Sequence, residues 1–508
     1  MQPTDTQSAG GGDHWSSRAA FILAAIGSAV GLGNLWRFPY VAGENGGGAF
    51  VLLYVLCVAL IGLPVLVAEL FIGRRGQRSA VGSVVVIANA EGRSPIWALQ
   101  SWFGMIGSFI ILTFYSVIAG WVMAYAVMML GDLVGAIGRD GIGALGAGAF
   151  SGRTAEEVGA LLPALLGDPV RMIAYHAVFM VVTVVIVARG LKGGIETAVT
   201  VLMPAFFVLL LILFVFALIE GDAARGADFL LTPRLDELWA GLANGSVISA
   251  ALGQAFFSIG LGSALMITYG AYMTKEQDLP RSSRLIAIAD TGVGVVAGLA
   301  IFPIVFGMGL DAAAGPTLMF VTLPLAFQEM PLGGVFGLAF FFLAFFAAVT
   351  SSIALLETAT KWVDEQSAGD RRVSTAIALG VVIFVIGALN ALSQVPPVGA
   401  DGEPQTVFLN LNTWKPLDTV PLFEGMVLLD FLSATTDIIL PIAGFITAVF
   451  AGWVVSCSTA REAIGFESDV WFNRWRFLIR YVCPIAIGAV IFYSVLWVPF
   501  ILPAITGG

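Results

Sequence analysis

A carboxylate and two small polar side chains stand where the chain is otherwise apolar, and together they could bind a cation. Asp290 lies in the stretch Leu-Ile-Ala-Ile-Ala-Asp-Thr-Gly. An isolated charge is costly in such surroundings, so this carboxylate needs either a cation beside it or a proton and a hydrogen bond to a neighbouring helix. Sodium is a hard ion that takes oxygen ligands, as calcium does. Asp290, Asn34 and Ser258 could supply them together with freed backbone carbonyls.

Backbone carbonyls become available where a membrane-length helix breaks. Residues 27–39 read Gly-Ser-Ala-Val-Gly-Leu-Gly-Asn-Leu-Trp-Arg-Phe-Pro inside the first long apolar segment. In hydrocarbon each unpaired peptide group costs several kcal/mol, so a helix breaks only where protein or water satisfies it. The break therefore predicts a cavity whose carbonyls bind a cation, as in transporters that couple solute movement to an ion.

A second break follows in the sixth apolar segment, where 253–263 read Gly-Gln-Ala-Phe-Phe-Ser-Ile-Gly-Leu-Gly-Ser. Interrupted segments at corresponding positions of two halves indicate a transporter site between inverted repeats. The alternative is that the small residues only allow close helix packing.

Hydroxyl and charged residues at membrane depth complete the set of candidates. Thr350, Ser351 and Ser352 either bond to carbonyls one turn earlier or face the carbonyls of the first break. Ionisable side chains inside spans are functional candidates by default. They are Arg37, Glu69, Glu196, Asp290, Glu357, Asp430 and Asp437, with Glu44 at a helix end.

The elements that must position these residues are membrane-spanning helices. The chain of 508 residues is 58% hydrophobic and 11% charged, whereas soluble domains carry about 25% charged residues. The net charge of −10 is spread over loops on two sides, and no basic run suggests nucleic acid. Eleven apolar segments of spanning length are predicted, at about 18–42, 48–73, 97–131, 170–188, 195–219, 242–272, 284–310, 334–363, 373–391, 425–454 and 475–503.

The expected fold is an all-α polytopic membrane protein with two inverted five-helix repeats, in which spans 1 and 6 are broken. Lys and Arg concentrate in loops on one side, for example Arg74, Arg75, Arg78 and Arg93, which places the N-terminus in the cytosol and the C-terminus outside. Cys57, Cys457 and Cys483 are not placed for disulfides. The segments are a cytosolic tail at 1–17, a first repeat at 18–219, an extracellular loop at 220–241, a second repeat at 242–454, and an inner loop with the eleventh helix at 455–508.

These motifs resemble the neurotransmitter:sodium symporter family, particularly its bacterial amino-acid transporters. The resemblance is carried by Ala-Val-Gly-Leu-Gly-Asn-Leu-Trp-Arg-Phe-Pro at 29–39, Glu-Asn-Gly-Gly-Gly-Ala-Phe at 44–50, Gly-Gln-Ala-Phe-Phe-Ser at 253–258 and Thr-Ser-Ser at 350–352. It runs from about Trp15 to the end of the tenth span. The broken helices of the leucine transporter, a general example of this architecture, belong to the same family.

The resemblance implies two sodium sites and one substrate pocket. The first sodium site would use Ala29, Asn34, Ser258 and Asp290, together with the substrate carboxylate. The second would use Gly27, Val30, Ala347, Thr350 and Ser351. The pocket would be formed by Ser28, Ala29, Leu32, Gly33, Ile111, Tyr115, Phe257, Ser258, Gly260, Ser263, Ser351 and Leu355.

The resemblance also implies two gates. Arg37 and Asp430 would form an outer ion pair, and Trp15 and Glu365 an inner closure. The family pattern expects a basic residue three positions before Trp15, but that residue is Gly12, so packing and backbone contacts of Trp15 are expected to replace it. Asp290 stands where many relatives have Asn and supplies a fixed negative charge, which predicts that chloride is not required.

The expected function is sodium-coupled import of neutral, hydrophobic amino acids across the bacterial plasma membrane, without an obligatory protein partner or nucleic acid. A proton-coupled permease of the same fold, with Asp290 or Glu357 titrating, is the first alternative. A transport-inactive nutrient sensor is the second, although the termini are short for a signalling extension. An enzyme is disfavoured because the sequence indicates no nucleophile–base pair and no His/Cys metal cluster.

Overall fold

The computed structural model describes residues 14–234, 236, 238, 239, 241, 245–367, 371–397 and 411–501. All regular elements in this part of the chain are helices. The predictions that concern Gly12 and the C-terminal end lie outside the described residues.

Nine long apolar helices form most of the described fold. They match the predicted spans 2–5 and 7–11 in order, although the helix of span 3 is longer than the predicted 97–131. They are Gly48–Gly76, Pro95–Asp140, Pro169–Ala188, Leu191–Glu220, Leu279–Gly307, Gly333–Gln366, Arg372–Ser393, Leu428–Val454 and Asp469–Ile501. Shorter helices connect them: Ala80–Ala90, Ala155–Gly159, Leu161–Leu166, Ala223–Leu231, Thr322–Glu329 and Cys457–Ile464.

The first predicted span is broken. Its halves, Arg18–Ala29 and Gly33–Glu44, meet at a bend of 47°, because Val30 leaves the helical conformation (φ −75°, ψ 104°). The glycine that follows is required by crowding: a Cβ at Gly31 would lie 2.4 Å from Ser351 Oγ and 3.0 Å from Tyr115 Oη. The backbone of the break therefore lies directly against two polar side chains of other helices.

The sixth predicted span is broken as well, into Ser246–Ile259 and Leu265–Gly270. Gly260 and Gly262 both adopt φ +73° between the two halves, a left-handed conformation that favours glycine. Each half is too short to span a membrane alone, so the total of eleven spans stays a prediction. The all-helical fold with two interrupted helices is confirmed.

The helix Gly333–Gln366 lies at the centre of the bundle. It packs along Pro95–Asp140 and against Arg18–Ala29, and every residue from 347 to 360 is buried. Its three consecutive hydroxyl residues are thereby held at the same depth as the first break.

Candidate functional site

Asn34, Ser258 and Asp290 come together from three separate helices. Asn34 Nδ2 donates to Ser258 Oγ and to Asp290 Oδ1, both at 2.9 Å. Ser258 Oγ lies 2.9 Å from both oxygens of the Asp290 carboxylate, and Tyr54 Oη donates to Oδ2 at 3.3 Å. All four residues are buried. Ala29, the remaining predicted ligand of the first site, ends the helical half that precedes the break.

The carboxylate of Asp290 receives only neutral donors. The ion pairs found among the described residues do not include it. Hydrogen bonds from amide and hydroxyl groups orient a buried carboxylate but do not neutralise its charge. The cluster therefore supplies oxygen ligands for a cation, and an ionised Asp290 would have no cationic partner among the contacts that the structure describes.

The predicted residues of the second sodium site also lie together. Ser351 Oγ donates to the Ser28 carbonyl at 3.3 Å, and a Cβ at Gly27 would lie 3.3 Å from Thr350 Cβ. Thr350 Oγ1 donates to the Ala347 carbonyl at 3.1 Å. This hydroxyl therefore bonds to a carbonyl one turn earlier, which is one of the two alternatives that the sequence left open. Val30, at the point where the first helix breaks, is fully buried.

The third hydroxyl of the run faces away from the break. Ser352 Oγ donates to the Val349 carbonyl at 2.9 Å and lies 2.8 Å from Thr183 Oγ1 on the fourth span. Only Thr350 and Ser351 are therefore candidates for ion binding.

A small cavity of about 40 Å³ lies beside both clusters. Most of the predicted pocket residues line it; Leu32 and Ser258 do not, and Gly31, Leu265 and Leu440 are additional. The Leu32 amide instead donates to Tyr115 Oη at 3.3 Å. The lining residues are Ser28, Ala29, Gly31, Gly33, Ile111, Tyr115, Phe257, Gly260, Ser263, Leu265, Ser351, Leu355 and Leu440.

The predicted outer gate needs a correction in its acidic residue. Arg37 Nη2 pairs with Asp437, at 3.2 and 3.3 Å from the two carboxylate oxygens, and not with Asp430. Asp430 lies in the first turn of the same helix and is exposed. Seven residues place it two turns, or about 10 Å, further along that helix. The guanidinium also lies 4.6 Å above the centre of the Phe257 ring.

At the predicted inner gate, Trp15 is held by packing and backbone contacts. Its ring is buried and packs edge-on against Tyr269 and Tyr272, with centroid distances of 5.3 and 5.9 Å. Trp15 Nε1 donates to the Tyr269 carbonyl and its amide to the Tyr272 carbonyl, both at 3.2 Å. Glu365 has another partner: it pairs with Arg78 at 3.2 Å.

Sequence reasoning missed a polar cluster around Tyr272. The Tyr272 hydroxyl donates to Glu357, whose carboxylate also pairs with Arg372, with Arg372 Nη1 3.1 Å from Oε1. Lys361 Nζ lies 3.3 Å from the centre of the Tyr272 ring. Glu357 stood out in the sequence as a buried charge, but its partners, Tyr272 and Arg372, come from other segments of the chain and could not be predicted from local spacing.

The geometry agrees with comparisons to known proteins. The family model described as the sodium:neurotransmitter symporter family matches residues 12–134 and 167–398. The chain belongs to this family. It is 35% identical over 479 residues to an uncharacterised sodium-dependent transporter of Bacillus subtilis (strain 168), an alignment that covers 93% of this chain and 95% of the relative. A second uncharacterised sodium-dependent transporter, from Haemophilus influenzae, is 30% identical over 486 residues. This alignment covers 94% of this chain and 97% of the relative.

A solved structure shares the fold of this symporter. The crystal structure of MhsT in complex with L-phenylalanine matches with a TM-score of 0.80 and 37% sequence identity, covering 95% of this chain and 99% of MhsT. The protein is therefore a sodium-dependent transporter of a multi-pass membrane family.

Proposed function

We propose that this protein imports neutral, hydrophobic amino acids together with sodium by alternating access. The observation that carries the proposal is the meeting of a buried, unneutralised Asp290 cluster and a small apolar cavity at one broken helix. An ion bound at Asp290 and a solute in the cavity would share that helix. Each would then stabilise the conformation that the other binds, which is the coupling that symport requires.

Two sodium ions fit the arrangement of polar groups. The first would bind among Ala29, Asn34, Ser258 and Asp290. The second would bind among the carbonyls of Gly27, Val30 and Ala347 and the hydroxyls of Thr350 and Ser351. The second ion would join the first helix to Gly333–Gln366, where Ser351 already contacts the Ser28 carbonyl.

The carboxylate of an amino acid would lie at the first break. Tyr115 Oη is positioned there by the Leu32 amide and can donate its own proton to an anion. Helix N-termini with free amides favour negative groups. The same carboxylate would complete the first sodium site.

The walls of the cavity favour an apolar side chain. Ile111, Leu265, Leu355 and Leu440 are aliphatic, and Phe257 covers one side. A charged side chain would lose its hydration without gaining a partner on these walls. The solved structure of MhsT contains L-phenylalanine. This supports an aromatic or aliphatic amino acid as the substrate of the present protein.

The Asp290 charge supports chloride-independent transport, and the Lys and Arg distribution supports a cytosolic N-terminus in the bacterial plasma membrane.

A binding screen tests the proposal. Thermal shifts of the purified protein are measured with each of twenty amino acids, in sodium chloride, sodium gluconate and choline chloride. We expect hydrophobic amino acids to stabilise the protein in both sodium salts but not in choline. Stabilisation in choline would favour the proton-coupled alternative.

A further inference from the structure

The outer ion pair and one wall of the cavity belong to a single turn of the helix that begins at Leu428. Asp437 pairs with Arg37, and Leu440 lines the cavity and is 2% exposed. Residues three apart lie on the same helix face. The carboxylate of the ion pair thus lies within one helical turn of a residue that lines the cavity.

This turn also lacks one helical hydrogen bond. Pro441 lies inside the helix and has no N–H to donate, so the carbonyl of Asp437, four residues earlier, loses its helical hydrogen bond. A proline in this position is a common site of helix bending. A small displacement at Leu440 can therefore move Asp437 without disrupting the helix on either side.

Leu440 is tightly enclosed by the elements that build the cavity. A Cβ at Gly262, in the break of the sixth span, would lie 2.1 Å from the Leu440 carbonyl oxygen. A Cβ at Gly107, on the third span, would lie 3.0 Å from Leu440 Cδ2. Because both positions are glycine, Leu440 packs closely against the third span and against the break of the sixth span. Its side chain also faces the cavity.

The other half of the ion pair is connected to the cavity too. The Arg37 guanidinium lies over the ring of Phe257, and Phe257 lines the cavity. Both charges of the outer pair are thus positioned by side chains that a substrate would touch.

We propose that Leu440 is a specificity-determining residue that senses the length of the substrate side chain and positions Asp437 for its pairing with Arg37. A long apolar side chain packs on Leu440 and holds the proline-interrupted turn in the paired arrangement. A short side chain leaves space beside Leu440, and the turn and its carboxylate are free to move. Substrate length thereby controls how long the outer pair stays closed. This inference rests on the proposed function.

Competition binding tests the sensing step. Unlabelled L-alanine and L-phenylalanine compete with radiolabelled L-phenylalanine on the purified full-length protein in saturating sodium. We expect Leu440→Ala to lower the affinity for L-phenylalanine by about tenfold or more, and that for L-alanine much less. The matched control is Ile439→Ala, since Ile439 also faces Gly107 but does not line the cavity; it should change both affinities by the same small factor.

Dissociation of radiolabelled L-phenylalanine tests the positioning step. Leu440→Ala and Asp437→Asn should each accelerate release, and the double variant should release no faster than the faster single variant, because both act through the same ion pair. Pro441→Ala restores the missing N–H. In that background the two substitutions should act independently and their effects should multiply.

Two results would overturn the inference: equal selectivity of Leu440→Ala and Ile439→Ala, or multiplying effects of Leu440→Ala and Asp437→Asn with Pro441 in place. If Leu440→Ala cannot be isolated folded, Leu440→Val is measured instead and should shift selectivity in the same direction by a smaller factor. Failure of the unsubstituted protein to bind L-phenylalanine in sodium would overturn the proposed function itself. If the unsubstituted protein binds L-phenylalanine normally and Leu440→Ala changes neither affinity nor release, only this inference is overturned.

Discussion

At the scale of the residue, Asp290 determines the electrostatics of the site. Its carboxylate is surrounded by Asn34, Ser258 and Tyr54, all neutral, so none of these contacts would compete with a cation for the ionised carboxylate. A neutral residue at this position would leave the same cavity without that attraction. Cation binding at the proposed site therefore depends on the charge of Asp290 as well as on its oxygens.

Replacing Asp290 tests this dependence. Asp290→Ala should weaken sodium and amino-acid binding together, each by about 10–100-fold, or 1.4–2.7 kcal/mol, because ion and solute share the broken helix. Isothermal titration with L-phenylalanine at several sodium concentrations measures both. Unchanged amino-acid affinity with an unchanged sodium dependence would remove Asp290 from the first site.

The outer ion pair gives a second test at this scale. Asp437→Asn should reduce uptake several-fold because Arg37 loses its partner, whereas Asp430→Asn should leave uptake within about twofold, since exposed substitutions away from special contacts are usually mild. Initial uptake rates in proteoliposomes compare the two variants. The reverse order would restore Asp430 as the gate residue.

The acidic partner of Arg37 could not be predicted because its two candidates share one helix face. Asp430 and Asp437 are seven residues apart, and only the depth at which the helix packs decides which one reaches Arg37. The Asn34–Asp290 contact could be predicted, since a break rich in glycine and a lone carboxylate are local signals. Leu440 and Lys361 gave no such signal, because their contacts arise from tertiary packing.

At the scale of the element, the proposed sites draw on two broken helices and one helix that carries hydroxyl groups. In these sites the breaks would provide carbonyls and amides, and Gly333–Gln366 would provide Thr350 and Ser351. Breaks are encoded by glycine at positions of close approach, such as Gly31 and Gly262, which is why the sequence reveals them. The exact ends of the surrounding helices depend on loop packing and differed from expectation, as in the third span.

Substituting the hydroxyls tests this division. Thr350→Ala with Ser351→Ala should raise the sodium concentration for half-maximal uptake about tenfold or more, because the second ion loses two ligands. Ser352→Ala is the matched control, since its hydroxyl bonds to Val349 and Thr183 instead. If the double variant and the control respond alike to sodium, the second site is wrong.

The inner contacts give another test on this scale. Lys361→Met removes the ammonium group above the Tyr272 ring, an interaction worth about 0.5–2 kcal/mol. The segment held by Trp15 should then open roughly 2–30-fold more often. Hydrogen exchange of the Trp15 amide, which is bonded to the Tyr272 carbonyl, reports this opening. Lys192→Met is the control at an exposed position, and its Trp15 amide should exchange at the rate of the unsubstituted protein. If the Trp15 amide exchanges equally fast in both variants, Lys361 does not stabilise the closed inner side.

At the scale of the whole molecule, the cavity is covered at both ends. The Arg37–Asp437 pair lies on one side and the Trp15 packing against Tyr269 and Tyr272 on the other. The broken first helix runs between them, since it begins at Arg18, shortly after Trp15, and carries Arg37 in its second half. Alternating access would require these two sets of contacts to open in turn, with sodium and substrate bound at the break.

Uptake driven by a sodium gradient is the decisive test of the proposed symport. Proteoliposomes with the purified protein are given radiolabelled L-phenylalanine at fixed pH, with either sodium or choline outside. We expect concentrative uptake with an inward sodium gradient, collapse of this uptake when the gradient is dissipated, and uptake in choline no greater than in protein-free liposomes. Equal uptake in sodium and choline would contradict it.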